Sequence, residues 1–215
     1  MARKFEAELN LLKKCYEGTE YYFDKLIKEI EIIVDEERQT THQEITKSME
    51  SYLEKTKGGL RKKFNILDRF YDYSYAPIVQ SGGKYSLKII NESDKSSLKP
   101  DIIRLSLGGK YFELNCNVIR TLIINPTEDE QKAYTALLSL FNELQNGLKN
   151  GQIISTVISR ALKGFGEKYP DLKDKVIEQF GFGMGYEFKE KKYLLQTSNE
   201  ETLQPGTVLH LSVAL

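Results

Sequence analysis

The sequence predicts an α+β fold in which a curved antiparallel sheet is backed by helices. Three observations predict it. Apolar residues recur at helical spacing through the first part of the chain, and short strand-like runs bounded by glycines fill the middle. Helices and strands then come in blocks, without the strict β-α-β alternation that a parallel sheet requires.

Over residues 5–37, Phe5, Leu9, Leu12, Tyr16, Phe23, Leu26, Ile27, Ile30 and Ile33 recur mostly at steps of three and four, and Gly18 is expected to divide this helix in two. Thr41 and Glu44 have the spacing of a capping box, and Ile45, Met49, Tyr52 and Leu53 continue one apolar face, which predicts a helix over 41–55. Residues 55–63 form a basic run with the composition of a nucleic-acid contact or a localisation signal. Gly58 and Gly59 interrupt it, which favours a solvated loop. In residues 70–75 aromatics alternate with polar residues. That is a pattern of strand packing more than of a base-stacking platform.

Strands are predicted over 75–80, 85–90, 102–107, 111–114 and 117–124, with Ser81-Gly82-Gly83 and Gly108-Gly109 as turns. A second capping box, Thr127 with Glu130, opens a helix whose buried side is expected to carry Tyr134, Leu137, Leu138, Phe141, Leu144 and Leu148. Further helices are predicted over 153–162 and 171–180, and strands over 186–189, 193–197 and 208–215.

The chain has 215 residues, a length that one domain accommodates. With 31 basic and 31 acidic side chains the formal net charge is zero, so no global field draws it toward phosphate. The longest nearly apolar stretch, 133–141, falls well short of the roughly 20 residues a membrane helix needs. The amino terminus has no signal-peptide pattern, so an intracellular protein is expected. Cys15 and Cys116 are too few for a disulfide framework and are read as reduced.

No P-loop, zinc-protease or nucleophile-elbow motif is present. The run Gly181-Phe182-Gly183-Met184-Gly185 leads toward a strand instead of a helix, and so reads as a tight β connection rather than a phosphate loop. Ser96 and Lys99 have the spacing of one serine-nucleophile motif but lie in a polar loop, and a catalytic role is not expected of them. His42 reads as a surface histidine on a helix, and His210 as a half-buried strand histidine.

Four segments carry a family resemblance: 75–83, 107–121, 180–190 and 203–213. Together they resemble the amino-terminal peptidase-like domain of the large subunits of FACT, a histone chaperone that reorganises nucleosomes. The resemblance implies the pita-bread fold of methionine aminopeptidases and creatinases, whose active members hold two divalent metal ions on five protein ligands. Carried over residue by residue, four of those positions fall at Ser106, Asn117, Phe182 and Ser212, none of which supplies an anionic ligand or a histidine. The fifth would lie beyond Leu215. A substrate-contacting histidine of the peptidases falls at Lys189, and Tyr75 and Gly183 complete a candidate peptide pocket.

The resemblance therefore implies one catalytically inactive domain over 1–215, with no metal and no cofactor. Its expected role is a non-catalytic module that binds core histones or their tails during transcription, replication and repair, and takes no small-molecule substrate. The small HMG-box subunit is expected to engage other domains of a full-length protein, and the implied location is the nucleus, on chromosomes. A purely structural domain, or a divergent metallopeptidase, are the alternatives. Candidate acidic contacts for a histone are Glu128, Asp129 and Glu130, with Asp35, Glu36 and Glu37 as a second cluster, although both also suit ordinary solvated helix ends. The chain reads as a fragment lacking a terminal strand, which is expected to leave 208–215 with an open edge.

Overall fold

The helical spacing at the start of the chain produces one unbroken helix, α1 (Glu6–Asp35), in the computed structural model, which describes residues 3–86 and 91–215. Gly18 does not divide it. A Cβ there would lie 2.7 Å from Cε2 of Tyr71, so the glycine is a place where an aromatic ring closes onto the helix backbone. The described residues form two units, one comprising Glu8–Asn125 and the other the segment up to Ala7 with Pro126–Leu215.

In the first unit, Thr41 caps α2 (His42–Thr56). The Glu44 amide donates to Thr41 Oγ1 at 3.2 Å, and the Thr41 amide donates to the Glu44 carboxylate at 2.8 Å. The basic run is not a loop: a 3-10 turn, Lys57–Gly59, leads into the short helix α3 (Leu60–Phe64). Leu60 is buried, and Asp68 accepts from the Arg61 amide at 3.1 Å, so local anchoring overrides the two glycines.

Three antiparallel strands follow in the order β1 (Tyr71–Gln80), β2 (Ile102–Tyr111) and β3 (Leu114–Ile123). The aromatic run and the first predicted strand are thus one strand, irregular in register between Tyr73 and Ile78, where Pro77 cannot donate to the ladder. The predicted strand over 85–90 is not seen at 85–86, and its remaining residues, 87–90, lie outside the described residues. Gly108-Gly109 is no turn but lies within β2. The reversal falls at Phe112 and Glu113, whose φ values of 47° and 63° match the two-residue turns that suit strand twist.

The second unit packs α4 (Glu128–Gly147) against α5 (Ile154–Lys168). Thr127 and Glu130 form the predicted capping box. The buried stripe of α4 is Ala136, Leu140 and Leu144, one residue per turn, while Tyr134 and Leu138 are exposed, contrary to the sequence reading. Ile154, Ile158, Ala161 and Phe165 of α5 complete this core with Phe180, Tyr193 and Leu195.

The helix expected over 171–180 shrinks to a single 3-10 turn, Lys173–Lys175. Extended pairing takes its place, with the Ile177 amide donating to Ala214 O at 3.0 Å and the Phe180 amide to Leu195 O at 2.8 Å. The glycine-rich run is itself a strand, β4 (Gly181–Gly183), antiparallel to β5 (Leu209–Leu211). Residues 186–189 bend back instead of forming a strand, closed by the Glu190 amide on Gly183 O at 2.7 Å, and Lys191–Tyr193 is a 3-10 turn. Val213 and Leu215 pack on the core beyond β5, and β5 has β4 as its strand neighbour among the described residues.

Candidate functional site

Sheet register assembles one polar cluster in the first unit. Tyr75 lies opposite Gly108, and Gly108 lies opposite Asn117, so the three share one face of β1, β2 and β3. Ser106, two residues from Gly108 on the same strand, faces the same way. Gly108 is what lets Tyr75 reach across: a Cβ there would run into the tyrosine ring, with Cδ1 at 2.8 Å. The ring lies over the glycine, and its hydroxyl meets Ser106 Oγ at 2.6 Å and donates to Asn117 Oδ1. Burial, partly offset by the Ser106 hydrogen bond, pushes the Tyr75 hydroxyl well above the ordinary tyrosine range, so it remains a neutral donor. Ser106 is fully buried and Asn117 half-buried, and no partner reaches Asn117 Nδ2 among the described residues.

A second cluster forms in the other unit. Phe182 pairs with His210 across β4 and β5, ring centroids 5.1 Å apart, and alternation along the chain puts Ser212 on the His210 side. Phe182 is fully buried, with the Phe188 ring 5.9 Å away and Lys189 Nζ 5.7 Å from its centroid. Lys189 is exposed. Gly183 is buried beneath Tyr193 and Glu190, whose Cβ and Oε2 atoms would lie 3.0 Å and 3.1 Å from an added Cβ. Tyr75 belongs to the other unit. His210 escaped the sequence reading as a site neighbour; its signal was the two-residue step to Ser212 in a strand.

These residues do not fit a pair of divalent metal ions. Ser106 and Asn117 are neutral, and their oxygens are engaged by Tyr75; Phe182 has no donor atom. Among the described residues, no group of three or more His, Cys, Asp or Glu side chains is arranged to hold a metal.

Of the acidic candidates, Glu130 is occupied as a cap: its carboxylate accepts from the Thr127 amide at 2.7 Å, which holds it below the usual glutamate range. Glu128 and Asp129 are exposed in the same first turn. Asp35, Glu36 and Glu37 are exposed, with Glu36 2.8 Å from Arg38.

Two features were missed. His42 is no surface residue, being 2% exposed: its Nδ1 lies 2.7 Å from Asp94 Oδ1 and its Nε2 2.8 Å from Ser81 Oγ. Ser81 Oγ also accepts from the Lys99 amide at 2.8 Å, so the serine hydroxyl contacts both the ring and the 94–99 loop. The order serine, histidine, aspartate is that of a hydrolytic triad, but the serine is buried and fully engaged. The chain acts as a staple joining the end of β1, the first turn of α2 and the 94–99 loop. Ser96 is tied to Asp94, its amide donating to Oδ1 at 2.9 Å and its hydroxyl to Oδ2 at 3.2 Å. The second feature is an open groove of about 560 Å³ between α2 and β1, where Glu50, Glu54 and Asp72 surround Tyr73 and Tyr75, with Lys55 also in the lining. The one-turn step from Glu50 to Glu54 was its sequence trace.

No helix among the described residues is long and apolar enough to cross a membrane. The chain is 28% identical over 211 residues to FACT complex subunit spt16 of Aspergillus fumigatus, a match covering 96% of this chain and 20% of that protein. Its structure superposes on the N-terminal domain of FACT complex subunit SPT16 from Eremothecium gossypii with a TM-score of 0.89, at 26% identity over 99% of this chain and 51% of that one. An X-Pro aminopeptidase from Thermotoga maritima shares the fold, with a TM-score of 0.78 at 19% identity over 99% of this chain and 55% of that one. The chain thus spans about a fifth of the curated relative and about half of the solved domains. The pita-bread fold is shared by FACT subunit and aminopeptidase alike, and with residues 10–215 matching its model the chain belongs to metallopeptidase family M24.

Proposed function

We propose that this chain is a non-catalytic protein-binding module of a nucleosome-reorganising histone chaperone, and that it binds core histones or their basic tails. The observation that carries the reading is the replacement of ligand chemistry by closed packing: Tyr75 bonds Ser106 and Asn117, and Phe182 packs tilted against His210, inside a fold whose relatives include FACT subunits. A peptidase fold that no longer holds metal keeps a surface shaped for extended chains. The groove lined by Glu50, Glu54 and Asp72 gives that surface the charge a histone requires, with tyrosine faces to cover aliphatic stems. Association with an HMG-box subunit through other domains, and residence on chromosomes in the nucleus, follow from the same reading.

Calorimetric titration with a histone tetramer, a histone dimer and isolated tails tests it. Saturable binding that survives moderate salt, weakened about tenfold or more by combined Glu50→Lys, Glu54→Lys and Asp72→Lys substitutions, is the expected result. No binding, or binding lost with a modest rise in salt, would leave a structural domain.

A further inference from the structure

The face of the sheet opposite the Tyr75 cluster carries a cysteine pair that the proposed function does not use. Strand alternation turns Cys116 away from Asn117 and toward α1, where Cys15 and Thr19 stand one turn apart. Cys116 lies opposite Gly109, whose missing side chain leaves room for Thr19 Oγ1 and the Tyr71 hydroxyl. The two sulfurs are 3.3 Å apart, and Thr19 Oγ1 lies 2.9 Å from Cys116 Sγ. Cys15 is fully buried and Cys116 is 8% exposed. A disulfide needs a sulfur separation of about 2.05 Å, so the sulfurs stand roughly 1.3 Å from bonding distance.

From this geometry we infer that Cys15 and Cys116 form a redox-convertible disulfide site, with hydrogen peroxide or a similar small peroxide as oxidant. The sequence reading of both as reduced describes one of its two states.

The site is asymmetric in the way a two-step oxidation requires. Burial works against ionisation of Cys116, but hydrogen bonding with Cys15, Thr19 and the Gly109 amide holds its thiol below the ordinary cysteine range. The Cys15 thiol is pushed far up by its hydrogen bond to Cys116 and by burial, which keeps it protonated. The Cys116 thiolate attacks one peroxide oxygen; an S–O bond forms, the O–O bond breaks, and the departing hydroxide takes a proton to become water. The Cys15 sulfur then attacks the Cys116 sulfur of the resulting sulfenic acid. The S–S bond forms, the S–O bond breaks, and the hydroxyl leaves with the Cys15 proton as a second water. Two thiols and one peroxide become one disulfide and two waters, and a dithiol reductant reverses the product. The bond ties α1 to β3 across a sequence separation of 101 residues.

The test is peroxide treatment of the 215-residue chain, followed by intact mass and non-reducing peptide mapping. The expected result is a loss of about 2 Da and a Cys15–Cys116 peptide pair that dithiothreitol separates. A rise in melting midpoint on the order of 10 °C should accompany it, because a long loop is closed. Dimedone should label Cys116 persistently in Cys15→Ser and only transiently in the native chain. Gains of about 16 or 32 Da without a cross-linked pair, a disulfide between two molecules, or thiols that stay unreacted while the chain is folded would each overturn the inference. The mapping needs no variant, so misfolding of Cys15→Ser would not rescue it, and histone titration of the reduced chain separates its failure from that of the proposed function.

Discussion

Replacing Tyr75 with Phe removes one oxygen and leaves the ring over Gly108 in place. That oxygen joins Ser106 to Asn117, so its loss strands the Ser106 hydroxyl, which is 0% exposed, and the Asn117 carbonyl. A buried polar group left without its partner costs about 1–3 kcal/mol, and Asn117 is half-buried, so the pair together should lose about 2–4 kcal/mol. For a chain of this size that lowers the melting midpoint by roughly 4–16 °C. Urea unfolding of the native chain, Tyr75→Phe, Ser106→Ala and the double variant closes a thermodynamic cycle, and a coupling of about 1 kcal/mol between the two sites is expected. A loss below about 0.5 kcal/mol for Tyr75→Phe would show the bridge to be idle, because the hydroxyl would then be exchanging its partners for water without cost.

His42→Ala should lower stability by about 2–4 kcal/mol in urea melts, since it empties a buried ring site and removes one of the two hydrogen-bond partners of Ser81; an unchanged midpoint would show the staple to be idle. Asp94, Glu44 and Glu130 are all held below the ordinary carboxylate range, Asp94 chiefly by His42 and the other two by amides of Thr41 and Thr127. Their contribution is therefore present above the unfolded value, about pH 4, and is lost as pH falls through the lower folded value. Urea midpoints should fall between pH 5 and pH 2, approximately, and a flat profile there would contradict the assignment. Phe182→Ala should cost about 3–5 kcal/mol, read by thermal unfolding, because it leaves a cavity between Phe188 and His210; a loss below about 1 kcal/mol would mean the ring is not packed as described.

The elements governed by local signals were legible in the sequence. Both capping boxes start helices where Thr41 and Thr127 predicted, and α1, α2, α4 and α5 follow from apolar spacing. What local signals could not show was close approach between distant segments. Gly18 and Gly108-Gly109 read as breaks, but they are where Tyr71, Tyr75 and Thr19 press against the backbone. The predicted helix over 171–180 lost to pairing with Leu195 and Ala214, partners that lie far along the chain. The resemblance named Ser106, Asn117, Phe182 and Ser212 from sequence. The Tyr75 bridge needed the register of three strands, and the His42 staple needed a loop more than fifty residues away, its Asp94 partner being 52 positions on.

We propose that peptidase-family geometry survives here with its metal chemistry replaced by packing. Calorimetric titration of the folded chain with manganese or cobalt, followed by a dipeptide turnover assay on the same samples, tests it most directly. No saturable metal uptake and no turnover are expected. Stoichiometric uptake of metal with hydrolysis that a chelator abolishes would contradict it.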